Sequence, residues 1–191
     1  MEKLDRFKLV FDYLRYKVGE YNVSIDSIED KVLSTGKRLN IYIYLFDVLY
    51  MKENNGESFF KEDFYAWTTM PTFPRVYYED FDQLSDPLCE KFYKKSGSVN
   101  LPSEEIINLI DCIIKSTNHV DTADLIEMIT LNDSPWKKIC DENGPGIVSK
   151  GKCIIPKEDI YQYYKDNNVL EDLIKLDTKN NQKTLTKIKK N

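Results

Sequence analysis

Histidine is nearly absent from this sequence of 191 residues, which has one, His119. Glycine is also sparse, with seven scattered residues, and the four cysteines Cys89, Cys112, Cys140 and Cys153 form no C-x-x-C pair. The first scarcity leaves no H-E-x-x-H motif and no cysteine or acid at metal spacing beside His119. The second leaves no glycine-rich phosphate loop and no G-x-S-x-G elbow. Widely spaced cysteines fit a reducing compartment, and the bland reading is that they are buried or idle thiols. Long apolar runs are missing too: Ile41 to Tyr50 is half the ~20 residues a membrane helix needs. The start, MEKLDRFK, is too charged for a signal peptide, so a cytoplasmic protein is expected. A net charge of −5 argues against a sequence-independent nucleic-acid binder.

Aromatic residues, by contrast, are plentiful: 13 Tyr, 9 Phe and 2 Trp. With 41% hydrophobic and 31% charged residues, the chain is long enough to bury a core and is expected to fold as one domain over residues 1–166. Residues 167–191 are expected to begin as a helix and to end in a flexible lysine-rich tail, read as a solvated appendage.

Periodicity predicts a mainly α fold around one buried helix, with a short hairpin or small sheet. Helices are expected over Glu2 to Val18, stopped by Gly19, and over Ser24 to Ser34. KRLNIYIYLFDVLYM, from Lys37 to Met51, is apolar nearly all round and is the expected central helix. Lys52 to Glu57 is turn chemistry, and Ser58 to Phe60 is read as a short strand. Later helices are expected from Pro102 to about Thr117, from Ala123 to Leu131, after the Ser134-Pro135 cap, and over Lys157 to Lys165. Asn143 to Gly146 reads as a loop and Ile147 to Ile155 as a hairpin.

The most unusual stretch is Glu62 to Tyr78, EDFYAWTTMPTFPRVYY, with six aromatics and two prolines. Pro71 and Pro74 fix their own backbone and bias the residue before each toward extended geometry, so Met70 to Arg75 should form a non-helical elbow. Trp67, Pro71, Pro74, Tyr77 and Trp136 are expected to frame the corner, with the tryptophans in the core. Phe73, Arg75 and Tyr78 are expected to reach a partner.

Three blocks resemble the Panacea domain, the family of SocA-like antitoxins and phage-associated proteins. Arg38 to Leu45, RLNIYIYL, is similar to the family's K-L-x-K-L-L-Y-F helix. Ala66 to Tyr77, AWTTMPTFPRVY, is similar to A-W-x-x-G-P-V-x-P-x-V-Y. Ala123 to Trp136, ADLIEMITLNDSPW, is similar to A-x-x-L-x-x-x-T-H-x-x-x-P-W. The chain diverges at Ile41, Met70, Thr72 and Leu131, where the family has lysine, glycine, valine and histidine. The resemblance implies an antitoxin of a bacterial or phage toxin-antitoxin system that binds a cognate toxin directly, without catalysis, metal or cofactor. It also implies alternatives: an adaptor delivering a partner to an AAA+ protease, or a mobile-element inhibitor of host defence. A hydrolase using His119 with Cys112 or Cys140 is a competing class, and no motif proposes it.

Overall fold

The computed structural model describes residues 5–27, 31–32, 35–79, 86, 88–96 and 99–166. The expected appendage at 167–191 lies outside them.

Helix α1 (Arg6–Val23) opens with the Asp5 side chain accepting from the Lys8 N–H, an N-cap. It buries Phe7, Val10, Leu14 and Val18, the predicted stripe, but runs five residues past Val18. Gly19 does not stop it. A Cβ there would stand 2.3 Å from the Cys89 carbonyl oxygen and 2.7 Å from the Tyr93 Cβ. The glycine therefore lets the start of helix α4 (Glu90–Ser96) press against α1. The expected second helix is not seen at residues 24–27 and 31–32, and the rest of it falls outside the described residues. Asn22 accounts for this: its amide donates to the Val32 carbonyl at 2.8 Å and accepts from the Val32 N–H at 2.7 Å. Both backbone groups of Val32 are thus taken by a side chain.

Helix α2 (Gly36–Glu53) is the predicted central helix, capped by Thr35, and Leu39 to Phe46 are wholly buried. Besides Arg38, it buries two polar side chains that organise what surrounds it. The Asn40 carbonyl oxygen accepts from the Phe73 N–H at 2.7 Å. The Asp47 carboxylate accepts from the Phe59 N–H and the Ser58 hydroxyl, each at 2.8 Å, and from the Phe60 N–H at 3.4 Å. That cap holds 58–60 as a loop rather than the expected strand, and packs Phe59 and Phe60 on Phe46.

Strand β1 (Phe64–Ala66) is the centre of a three-stranded antiparallel sheet, between β2 (Pro71–Thr72) and β3 (Ile154–Ile155). Tyr65 lies opposite Thr72 on one side and Ile154 on the other. The elbow is thus a hairpin arm as far as Phe73. Pro74 then opens helix α3 (Pro74–Glu79), so the expectation that Arg75 lies outside a helix is corrected. Proline at a first helical position loses no hydrogen bond.

Helices α5 (Glu104–Thr117), α6 (Thr122–Ile129) and α7 (Pro135–Asn143) follow the sequence reading within two residues, and the Ser134 hydroxyl caps α7. Asn143 to Gly146 is not a plain loop. Gly144, at φ 74°, turns the chain out of α7, and Pro145 starts the short helix α8 (Pro145–Val148). Only Ile154–Ile155 of the expected hairpin is a strand, and its partner is β1, some ninety residues earlier. Helix α9 (Lys157–Lys165) then returns to α2, with Tyr164 edge-on to Tyr44.

Candidate protein-interaction site

Hydrogen bonds tie the second sequence block to the first through Asn40 and to the third through Trp136, while Arg38 ties the first to the end of α5. Arg38 is buried, and its guanidinium donates to the Val120 carbonyl at 2.6 Å, the Thr117 carbonyl at 2.5 Å and the Tyr42 hydroxyl at 2.9 Å. A cation at the C-terminal end of α5 suits both the carbonyls there and the helix dipole. Asn40 holds the elbow to α2 at Phe73. The Trp136 indole N–H donates to the Trp67 carbonyl at 2.8 Å, fastening α7 to the arm.

Around that joint the frame residues take defined places. The rings of Trp67 and Tyr77 stack at 5.2 Å with 16° between planes. On the indole's edge lies Gly151, φ 62°, whose Cβ, if it had one, would be 2.6 Å from Trp67 Nε1. Pro71 is buried and Pro74 half-buried. Trp67, Tyr77 and Trp136 are half-buried rather than core, because each closes the fold at its rim.

Of the three residues expected to reach a partner, one is placed to do so. Tyr78 is 78% exposed. Phe73 is fully buried, stacked on Phe7 at 5.2 Å and flanked by Phe60 and Phe64, so its assignment to a contact surface is corrected. The Phe73 N–H bond to Asn40 and the turn into α3 drive this ring inward. Arg75 is half-buried and already engaged: it pairs with Asp5 and with Glu62 (3.2 Å), and its guanidinium lies 4.6 Å from the Phe7 ring centre. Its hydrogen bond holds the Asp5 carboxyl below the usual carboxylate range, and Asp5 in turn pushes Arg75 up. The elbow cation thus serves the fold.

The outer face of the sheet, which sequence reasoning missed as a site, adds further accessible groups. Lys152 and Ile154 are exposed, alternating with buried Cys153 and Ile155, and Tyr65 is half-buried beside Ile154. The signal was Lys150 and Lys152 among the apolar residues from Ile147 to Ile155; the partner strand is not visible from sequence.

His119 is exposed, and all four cysteines are free. Burial, with Asp141 beside it, pushes the Cys140 thiol up and disfavours the nucleophilic thiolate. Among the described residues no group of three or more His, Cys, Asp or Glu is placed to hold a metal, and no helix is long and apolar enough to cross a membrane. Comparison with protein-family models, with curated proteins and with solved structures returned no match.

Proposed function

We propose that this protein is an antitoxin that neutralises a cognate toxin by direct protein-protein contact. The observation that carries the reading is the joint itself. Residues of the Panacea-like blocks make its links: Arg38 ties α2 to the end of α5, Asn40 ties α2 to the arm at Phe73, and Trp136 ties α7 to the arm at Trp67. A sequence pattern shared with a family is expected to sit where it maintains that family's scaffold. The accessible aromatic beside it, Tyr78, supplies contact area at a small entropic cost, as binding hot spots do.

Co-expression with the neighbouring gene, purification of any complex and calorimetric titration test the proposal. Formation of a stoichiometric complex that relieves growth arrest is expected. Tyr78→Ala should then weaken the complex about thirtyfold, or ~2 kcal/mol, the size of a hot-spot truncation. A neighbour that is neither toxic alone nor retained by this protein would remove the proposal.

A further inference from the structure

The strand β3 presents an open edge. The register pairs Phe64 with Ile155 and Tyr65 with Ile154, and the Ala66 N–H donates to the Cys153 carbonyl at 2.8 Å. In an antiparallel ladder, residues alternate between those that bond the neighbouring strand and those whose N–H and C=O point the other way. Cys153 and Ile155 bond β1, so the backbone groups of Lys152 and Ile154 point away from the sheet. Among the described residues, no group bonds either pair. Soluble proteins generally cover or blunt such an edge. Here the Ile154 side chain is left 45% exposed.

We infer that β3 receives an extended segment of a partner protein as an added strand, with an apolar residue opposite Ile154 and an acidic residue opposite Lys152. Main-chain bonds at Lys152 and Ile154 would supply register and side chains on the outer face the selectivity, as in other strand additions. The acidic requirement comes from Lys152 and the adjacent exposed Lys150. Tyr65, opposite Ile154 on β1, suits the apolar position. A second copy of this chain fits less well. Placing Ile154 opposite Ile154 sets Lys152 against Pro156, which has no N–H and whose carbonyl already accepts from Ile160, and the two-fold register that places Lys152 opposite Ile154 gives the lysine an apolar residue in place of an acid. The inference holds for any protein partner and does not rest on the antitoxin reading.

The test titrates the isotopically labelled full chain with the capped peptide Ser-Glu-Thr-Val-Thr-Val-Ser, following amide resonances. Saturable shifts centred on Lys152, Ile154 and Tyr65 are expected, with the two edge amides protected from exchange. Ile154→Pro deletes one outward N–H without touching a bond to β1 and should weaken binding at least about tenfold. Replacing the peptide's glutamate by lysine should also weaken it, and Lys152→Glu should restore that second peptide, a charge swap that needs no proline variant to fold. The inference is overturned by no saturation up to about 1 mM peptide, by shifts centred elsewhere, or by charge-swapped pairs that bind alike. It is equally overturned by edge protection that depends on protein concentration alone, which would assign the edge to a second copy.

Discussion

Phe73 and Tyr78 stand five positions apart in one aromatic stretch and have opposite surroundings. Phe73 packs among three other rings in the core, whereas Tyr78 is largely in solvent. Phe73→Ala should therefore cost about 3–5 kcal/mol in urea unfolding, through lost transfer energy and the cavity left behind. Tyr78→Ala should stay within about 0.5 kcal/mol of the parent. The sequence showed an aromatic cluster but not which rings turn inward, because direction is set by where α3 begins. Pro74 is legible as a first helical residue only once the strand before it is known. Asp47 was visible as an interruption of an apolar helix; its role as the cap of residues 58–60 was not, since its partners lie eleven to thirteen residues away.

Asp47 also yields a pH prediction. Burial raises its pKa above the ordinary 3.8, more than the Ser58 and Phe59 hydrogen bonds lower it. An acid that holds its proton more tightly when folded contributes most to stability below its unfolded pKa. That contribution declines as pH rises through the raised folded value. Asp47→Asn keeps an acceptor for the two backbone donors and removes the charge. Unfolding free energy measured from about pH 4 to 7 should thus fall more steeply in the parent than in the variant, and parallel curves would refute the assignment.

At the scale of elements, helices α2, α5, α6 and α7, which follow a cap-type residue, were readable, although of those four residues only Thr35 and Ser134 make the capping bond, and features made by distant contact were not. Thr35, Ser103, Asp121 and Ser134 stand at the starts of α2, α5, α6 and α7, and an apolar face or run follows α2, α5 and α6. The extension of α1 past Gly19 and the pairing of β3 with β1 both depend on distant chain, which periodicity does not encode. Two glycines make this testable. Gly19→Ala places a methyl group against the Cys89 carbonyl, just before α4, which cannot yield like a side-chain tip, and should lower stability by about 2 kcal/mol as α4 is pushed outward. Gly151→Ala adds a Cβ against the Trp67 indole at a positive φ and should cost about 1–2 kcal/mol. It should also change tryptophan fluorescence before unfolding, which Gly19→Ala should not.

For the molecule as a whole, polar groups inside the core decide how its parts are oriented. Arg38 fixes the α5 end, Asn40 the elbow and Asp47 the loop, all from the one helix α2. Arg38→Met should destabilise by about 2 kcal/mol, since it leaves the buried Val120 carbonyl without a donor and the Thr117 carbonyl with the Val120 N–H alone. The mainly α class with a small sheet was legible because α2 is so uniformly apolar that it must lie in the middle. The sheet order β2-β1-β3 was not, since it joins segments far apart along the chain.

The return of α9 onto α2 has a consequence in time. During synthesis Tyr44 emerges about 120 residues before Tyr164, the ring that lies against it. Until the end of α9 has left the ribosome, one flank of the most deeply buried helix stays uncovered and open to chaperones, proteases or a second nascent chain. Interrupting translation just short of α9 would yield a species that binds hydrophobic dyes and is degraded quickly. The docking of α9 is thus the step that covers this flank of α2.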